Sequence, residues 1–327
     1  MVEKIFFDTI GKYKLIEKKD KVILAVSGGP DSVCMLHLFK KIKDVYKLGL
    51  VCAHFNHGLR EEADKDEEFV RKICGELKIQ FTSSKKDVKK FFRGNSLEQT
   101  ARFLRFDFFL ACARHFKIKK IALAHNKDDV IETVLMRIIR GASLRGLRGI
   151  LPLSKYKGVV LIRPLIEIRK KEILAWLKLN NLDYRIDKTN FEEKFFRNKI
   201  RHKLMPLLEE FNPNVRNAIF NLAKVASFDY DFIYKLSLKE FNILKKAGSG
   251  FVKLKLEKLK KLHPAIITSV LGIAIEEIKG NLRRLESRHF SEILELIFDR
   301  PQNSIVHLPD LEVKKENDSL IIKSLIL

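Results

Sequence analysis

The chain has 327 residues, of which 46% are hydrophobic and 32% charged, and its formal net charge is +23. This composition excludes a disordered chain, and because no apolar run reaches the roughly 18 residues that span a bilayer, it also excludes a membrane-spanning protein. The length predicts two domains. The N-terminal stretch MVEKIFFDTIGKYKL lacks a signal-peptide pattern, so we expect a cytoplasmic protein.

Roughly the first 185 residues alternate short β-branched runs with longer amphipathic runs. Strands are predicted at 21–27, 48–56, 79–84, 119–126 and 158–165. Helices are predicted at 32–43, 62–77, 96–116, 127–140 and 168–181. Apolar strands separated by helices indicate an open, mainly parallel, doubly wound α/β sheet. From about residue 189 the pattern becomes helical, and we predict a larger domain at 1–215 and a smaller, mostly helical domain at 216–327.

A glycine-rich turn follows the first predicted strand, where the ligands of such sheets bind. Its residues are Ser27, Gly28, Gly29, Pro30, Asp31 and Ser32. The glycines allow close backbone approach, and the N–H groups of the following helix attract a phosphate. A carboxylate repels a bare phosphate, so Asp31 suggests a Mg²⁺ ion between it and a nucleotide. The alternative is a plain turn with a capping aspartate.

Three acidic residues follow the fourth predicted strand, at the same edge of the sheet. Asp128, Asp129 and Glu132 lie on the first turns of a helix, and Asp129 and Glu132 share one face of it. Carboxylates in this place can bind an ammonium group and accept its proton. As an alternative, Asn126 caps the helix and acidic residues in its first turn stabilise the helix dipole, which explains one or two of the three acidic residues. We favour a functional role, with Asp129 preferred over Asp128.

Basic residues are concentrated in the middle of the chain. Residues 101–200 contain 23 lysines and arginines against 10 acidic residues, a net charge of +13, which predicts a polyanionic partner, most plausibly nucleic acid. The candidate contacts are Arg102, Arg140, Arg145, Arg148, Arg197 and Arg201, and Arg105 is a candidate to neutralise phosphate charge at an adenylate. A solvated basic face or helix capping explains part of this set. At the end of strand two, His54 and Asn56 are candidates for nucleotide contact.

The motif SGGPDS resembles the pyrophosphate-binding loop of the N-type ATP pyrophosphatases, also called PP-loop proteins. An ordered set of later motifs is similar to the tRNA(Ile)-lysidine synthetase family: HFNHGLR, NSLEQTARFLRFDFF, LAHNKDDVIET, RIIRGASLRGLRGI, RPLIEIRKKEI and DKTNFEEKFFRNKIRHKLMPLL. The resemblance covers roughly residues 20–210. It departs at Asn126, where a second histidine is expected beside His125.

The resemblance implies an adenine nucleotide alpha hydrolase-like fold with a catalytic domain at 1–215 and a tRNA-binding domain at 216–327. The implied reaction attaches free L-lysine to C2 of the wobble cytidine in the CAU anticodon of tRNA(Ile). ATP first adenylates the C2 oxygen, and the lysine ε-amine then displaces AMP, so that the tRNA reads AUA instead of AUG. The implied co-substrate is ATP with Mg²⁺. The sequence leaves open whether the chain forms a homodimer.

The resemblance and the residue chemistry together give a candidate site. The catalytic candidates are Asp31, Asp129, Glu132 and Arg105. ATP is expected on Ser27, Gly28, Gly29, Pro30, Asp31, Ser32, His54 and Asn56, with Mg²⁺ on Asp31. Lysine is expected on Asp129 and Glu132, and tRNA on Arg102, Arg140, Arg145, Arg148, Arg197 and Arg201. The alternatives are a tRNA thiolase, which commonly needs a cysteine pair missing here, and a non-catalytic basic RNA-binding protein.

Overall fold

The computed structural model describes residues 1–58, 63–91, 97–186, 196–248, 250–282 and 284–325. Parts of three motifs, at 59–60, 95–96 and 187–195, lie outside the described residues. The chain divides into two compact units, Met1–Arg140 with Gly149–Ala223 and Gly141–Arg148 with Lys224–Leu327. Across the described ranges, no helix is long and apolar enough to cross a membrane.

The first unit contains six strands and most of the helices. The strands are β1 Lys21–Ala25, β2 Gly49–Asn56, β3 Gln80–Lys85, β4 Lys120–Ala122, β5 Leu153–Tyr156 and β6 Val159–Ile162. Its helices are α1 Val2–Lys12, α2 Pro30–Tyr46, α3 Ala63–Glu76, α4 Leu97–His115, α5 Lys127–Ile139, α7 Lys170–Leu179, α8 Phe196–Lys199 and α9 Met205–Phe211. The short helix α6 Leu144–Leu147 belongs to the second unit. A 3-10 helix covers Val88–Phe91, and a π-helical turn covers Ile200–Leu204.

The strands form one sheet in the order β3-β2-β1-β4-β6-β5. All neighbouring strands are parallel except β5, which pairs antiparallel with β6 at the edge. Alternate residues of the central strand β1 pack into different cores, because successive side chains of a strand point to opposite faces. Val22 and Leu24 join one core, and Ile23 joins the other. The predicted doubly wound parallel sheet is therefore confirmed.

The strands and helices predicted up to residue 181 are all present, but β6 covers only Val159–Ile162 of the predicted 158–165, and β4 is also shorter than expected. Strand β4 ends at Ala122 instead of residue 126, because its pairing with β1 and β6 ends at that residue. Helix α1 and the edge strand β5 were not predicted. A fully buried strand has a continuous apolar signature, whereas the half-exposed β5 has only a short alternation that a loop also shows.

The second unit is built around a five-stranded antiparallel sheet. Its strands are β7 Lys245–Gly248, β8 Phe251–Lys255, β9 Ile305–Leu308, β10 Leu311–Glu316 and β11 Ser319–Ser324, in the order β7-β8-β11-β10-β9. Its helices are the greater part of α10 Val215–Leu244, α11 Leu256–Lys260, α12 Pro264–Lys279 and α13 Ser287–Phe298. We predicted a mostly helical unit at this end of the chain, and the structure combines its helices with a five-stranded sheet.

The division between the units differs from the predicted boundary at 215–216. It falls after Ala223, within α10, so this helix runs from one unit into the other. The segment Gly141–Arg148 also belongs to the second unit, although the chain around it belongs to the first. Sequence patterns could not show this, because the segment is short and its packing partners lie far along the chain.

Gly149 allows the chain to return closely against α5. Its φ is +61°, and a Cβ atom there would lie 2.9 Å from Val130 Cγ1 and 3.0 Å from Val134 Cγ2. Val130 and Val134 are themselves buried in α5. The glycine therefore combines a left-handed backbone with a contact that no side chain fits.

We expect Gly149→Ala to lower the free energy of unfolding by about 2–4 kcal/mol, because backbone strain and overpacking add. Gly141→Ala is the matched control, since Gly141 has φ +76° but a Cβ atom there would meet nothing within 4 Å. It carries the strain alone, about 1–2 kcal/mol. Urea unfolding of both variants measures the difference, and equal losses would contradict the packing argument.

Candidate active site

The glycine-rich turn, which we call the phosphate loop (Ser27–Ser32), connects β1 to α2. Gly28 has φ +89°, and Gly29 is the N-cap of α2. The Ser32 hydroxyl accepts from the Ser27 N–H over 3.1 Å and donates to the Gly29 carbonyl over 2.9 Å. These bonds fix the loop with the N-terminus of α2 at the carboxyl end of β1. The positive end of the helix dipole attracts an anion there.

Asp31 connects the phosphate loop to two other segments of the first unit. The Lys170 ammonium donates to Asp31 Oδ2 over 2.6 Å, and the Asn126 amide donates to Oδ1 over 3.1 Å. Burial raises the pKa of the Asp31 carboxyl, the Lys170 charge opposes this, and the charge of Asp129 adds to the rise. Asp31 is therefore a carboxylate held in place on both oxygens beside the turn.

Asn126 and Asp129 form a capping box at the start of α5. The Asn126 side-chain oxygen accepts from the Asp129 N–H over 3.1 Å, and Asp129 Oδ2 accepts from the Asn126 N–H over 2.9 Å. Asn126 therefore caps α5, which is the alternative that the sequence left open, and one oxygen of Asp129 takes part in the cap. Asp129 Oδ1 lies 3.9 Å from Arg197 Nη1, so the carboxylate is anchored through one oxygen.

Asp128 has a different environment from its neighbour. Its Oδ1 lies 2.8 Å from Arg216 Nη1, and its Oδ2 accepts from the Lys170 N–H over 2.7 Å. Arg216 in turn donates to Glu209 over 2.6 Å. Both oxygens of Asp128 are therefore used to hold α5 to α7 and α10 within the first unit.

Glu132 is almost completely buried, with 1% of its surface exposed, and is paired with Arg201. Arg201 donates from Nε to Oε1 over 2.7 Å and from Nη2 to Oε2 over 3.1 Å. Burial raises the pKa of the Glu132 carboxyl, and Arg201 opposes this rise. Arg197 lies 3.6 Å from the same carboxylate. Arg201, predicted on an RNA-binding face, thus also pairs with the carboxylate that we predicted to bind lysine.

His125 lies in a strongly positive environment after β4. Its pKa is lowered to about 3 by burial and by the charges of Arg163, Arg102, Arg105 and Arg197. The ring is therefore neutral at physiological pH. Its buried Nδ1 has no hydrogen-bond partner among the described residues. The same field that keeps this imidazole neutral favours an anion at the carboxyl end of β4.

His54 and Asn56 are both buried and bonded within the scaffold. His54 Nδ1 lies 2.9 Å from the Val26 carbonyl oxygen, next to the phosphate loop, and burial lowers the pKa of the ring. The Asn56 amide donates to Asp64 over 2.9 Å and to Glu67 over 3.2 Å. His54 thus connects β2 to the segment after β1, and Asn56 connects β2 to α3, whereas their predicted contact with ATP stays a prediction.

The remaining predicted arginines fall into two groups. Arg102 and Arg105 are exposed on α4 and lie over the ring of Phe106, and Arg140 lies over Phe196 at the end of α5. Within the second unit, Arg145 pairs with Glu276 over 2.6 Å and Arg148 lies over the Tyr230 ring. Arg145 lies on a short half-buried helix, α6, and Arg148 directly follows it.

Sequence reasoning missed three residues that shape this site: Lys170, Arg163 and Arg216. Lys170 is bonded to Asp31, and Arg163 is buried and donates to the Leu151 carbonyl oxygen over 2.7 Å. Lys170 and Arg163 stand in the motif RPLIEIRKKEI, so their position after a strand was a usable signal. Arg216 lies beyond the motifs, so no signal in the sequence indicated its role.

The donor set around Asp31 suits Mg²⁺ better than a metal held entirely by protein ligands. Within the described residues, no group of three His, Cys, Asp or Glu side chains could hold a metal ion. Asp31 and Asp129 interact electrostatically at the phosphate loop. Mg²⁺ commonly binds through one or two carboxylates together with substrate phosphates, and these two residues can provide the carboxylates.

Comparisons with known proteins agree with this arrangement. The PP-loop domain family matches residues 3–208. A tRNA(Ile)-lysidine synthase of Clostridioides difficile (strain 630) is 38% identical over 96% of this chain and 69% of its own length. Another of Petrotoga mobilis (strain DSM 10674 / SJ95) is 33% identical over 98% of both chains.

Among solved structures, the U34-tRNA thiolase NcsA from Methanococcus maripaludis with its [4Fe-4S] cluster has a TM-score of 0.57 and 22% identity. The match covers 69% of this chain and 78% of that chain, and at this identity it shows a shared fold alone. The lysidine synthases, in contrast, match nearly the whole chain, including the segments that hold the phosphate loop and the α5 acids. The chain therefore belongs to the tRNA(Ile)-lysidine synthase family of PP-loop proteins.

Proposed function

We propose that this chain ligates free L-lysine to C2 of the wobble cytidine in the CAU anticodon of tRNA(Ile), with conversion of ATP to AMP and pyrophosphate. The observation that carries this proposal is the match to lysidine synthases over 96–98% of the chain. The geometry supports this proposal, because the phosphate loop lies at the same edge of the sheet as Asp129, which has one oxygen outside the capping box. The tRNA thiolase is less supported, since all four cysteines are buried and no CxxC pair occurs.

In the first step, the phosphate loop would bind the ATP phosphates at the N-terminus of α2. Asp31 would hold Mg²⁺, which would neutralise charge on the phosphates when bound. The cytidine C2 oxygen attacks the α-phosphorus, the bond to the β-phosphate oxygen breaks, and pyrophosphate leaves. Arg102, Arg105 and Arg197 provide positive charge where phosphate charge develops, which supports their assignment to this step.

In the second step, the lysine ε-amine attacks C2 and the C2–oxygen bond breaks, so that AMP leaves. The amine has a pKa of about 10.4 and must lose a proton before it attacks. We assign the ammonium and its proton to Asp129, because only one of its oxygens is used by the capping box. Glu132 has both oxygens on Arg201, so we revise its role from direct lysine binding to positioning Arg201.

The tRNA body is assigned to the second unit, which includes Arg145 and Arg148, together with Arg140 next to it in sequence. The proposed tRNA-binding part begins near residue 216, a few residues before the division after Ala223. Arg145 and Arg148 already contact Glu276 and Tyr230, so their use on RNA requires an exchange of partners. A cytoplasmic location and a homodimer stay predictions.

The proposed activity is tested by incubating the full chain with ATP, Mg²⁺, lysine and bulk tRNA, followed by mass spectrometry of the nucleosides. We expect lysidine to form only when ATP and lysine are both present. Isotopically labelled lysine identifies the added group. A thiolated nucleoside, or no new nucleoside with an active positive control, would overturn the proposal.

We expect Asp31→Asn to reduce adenylation of tRNA by about 10²–10³-fold, by analogy with the loss of one preorganised electrostatic group. The amide keeps the shape of the side chain but loses the charge that faces Lys170 and Mg²⁺. Asp44→Asn, at the exposed far end of the same helix, is the control. Pyrophosphate release in the absence of lysine is the measurement, and a wild-type rate in Asp31→Asn would refute the assignment.

We expect Asp129→Asn to slow lysine transfer more than adenylation, because an amide cannot accept the proton. Below a pH of about 10.4 the free amine increases about tenfold per pH unit, so higher pH should partly rescue the variant. Single-turnover assays of adenylated tRNA and of lysidine measure the two steps separately.

Asp128→Asn is the matched control, since the Asp128 carboxylate is bonded to Arg216 and the Lys170 N–H. This change should lower stability without a selective effect on the second step. If Asp129→Asn reduced both steps equally and showed no rescue by pH, Asp129 would be assigned to Mg²⁺ instead of lysine.

A further inference from the structure

Every parallel strand of the first unit is preceded by a lysine with a left-handed backbone. We call these five residues the lysine row: Lys19 (φ 69°), Lys47 (φ 52°), Lys78 (φ 52°), Lys117 (φ 53°) and Lys157 (φ 44°). They precede β1, β2, β3, β4 and β6 in turn. All five are exposed. Because the strands are parallel, the lysine row lies at the sheet edge opposite to the phosphate loop.

Lysine is an unfavourable choice for this backbone conformation. Residues other than glycine are strained in the left-handed region, where glycine and asparagine are the usual residues. The same chain uses asparagine in this conformation at Asn181, Asn303 and Asn317. Lys14 has the same conformation outside the row, so the indication that positive charge has a use comes from the position of five such lysines at one edge and not from the conformation alone.

Stabilisation of helix ends accounts for only part of the row. Lys47, Lys78 and Lys117 follow α2, α3 and α4, where a cation interacts favourably with the negative end of the helix dipole. Lys19 and Lys157 stand in turns that do not follow a helix directly, and Lys157 lies in the hairpin turn between β5 and β6. Helix capping cannot explain these two residues.

The strand order sets the order of the row along the edge. It runs from Lys78 through Lys47, Lys19 and Lys117 to Lys157, in the order β3-β2-β1-β4-β6. Neighbouring strands lie about 4.8 Å apart, so the row is about 19 Å long. A line of charges of this length exceeds a single phosphate group and matches an extended polyanion.

A cavity of about 510 Å³ lies in the middle of this edge. Its lining contains Lys19, Lys21, Lys117, Lys119 and Lys120, and Asp20 is the one carboxylate among the lining residues. Asp20 already accepts from Lys120 and from the Glu17 N–H. Within the described residues, no carboxylate lies within 4.0 Å of the ammonium groups of Lys19, Lys21, Lys117 or Lys119. The cavity thus has an excess of positive charge at the centre of the row.

We propose that the lysine row is a second RNA-binding surface, which contacts the phosphate backbone without reading sequence. RNA is favoured over other polyanions because the chain belongs to a family of tRNA-modifying proteins. The surface lies about 17 Å from the phosphate loop, the length of the five-residue strand β1. It therefore contacts a part of an RNA other than the nucleotide that is modified.

The test replaces the five lysines of the row with asparagine in the full chain, because asparagine tolerates the left-handed backbone. Binding is measured to a tRNA without the CAU anticodon, so that the result does not depend on lysidine formation. We expect the slope of log affinity against log salt to fall by about 0.7–0.9 for each lost phosphate contact. Replacement of the same five lysines with arginine keeps the charge and should retain the slope.

Lys14→Asn is the matched single control for Lys117→Asn. Lys14 has the same conformation, φ 49°, at the end of α1, but it does not directly precede a strand. We expect Lys117→Asn to lower the salt slope and Lys14→Asn to leave it unchanged. An unchanged slope in the folded five-lysine asparagine variant would overturn the proposal, even if its melting temperature fell.

Binding to vesicles that contain phosphatidylserine tests the alternative that the lysine row contacts a membrane. If the asparagine variant lost vesicle binding but kept its salt slope for tRNA, the row would be a membrane surface and the proposal would be wrong. If the five-lysine variant failed to fold, the pair Lys19→Asn and Lys157→Asn would decide the matter, because neither residue caps a helix. A lower slope in that pair supports RNA binding, and an unchanged slope refutes it.

Discussion

The contacts of Asp31 tie together three segments that are distant in sequence. One oxygen accepts from Asn126, 95 residues away, and the other from Lys170, 139 residues away. These residues stand after β1, after β4 and at the start of α7, so the Asp31 contacts fix how three strand ends meet. A buried carboxylate without such partners would cost several kcal/mol or be protonated, which burial already favours here. The phosphate loop therefore depends on the β4–α5 and β6–α7 segments to keep its charge.

The same reasoning explains why three acidic residues within five positions have three roles. Asp128 is saturated by Arg216 and a backbone N–H, Glu132 is saturated by Arg201, and Asp129 retains an oxygen that no close hydrogen bond within the described residues uses. Charge alone does not distinguish them. What distinguishes them is which neighbouring helix each carboxylate reaches, and this makes Asp129 the residue to which we assign the lysine proton.

The parallel sheet also separates two kinds of positive charge. At its carboxyl edge, arginines surround a neutral His125, and we propose that they act where phosphates react. At its amino edge, lysines occupy turns with an unfavourable backbone and face solvent. The planar guanidinium group of arginine suits fixed contacts with phosphate, whereas lysine carries a point charge on a flexible side chain and suits non-specific contacts with an RNA backbone. The proposed assignment of reaction to one edge and non-specific RNA contact to the other follows from this difference.

The sequence by itself determined the parallel sheet, the phosphate loop and the family, because these rest on local patterns: buried strands are continuously apolar, and turns need particular residues at fixed spacing. It did not determine the partners of Glu132, the bonds of Lys170 and Arg216, the five-stranded second sheet or the lysine row. Those depend on pairings between residues far apart in the chain, such as Glu132 with Arg201 across 69 positions. Only the tertiary structure decides such pairings, since electrostatic and strand contacts act over distance in space and leave no periodic signal along the chain.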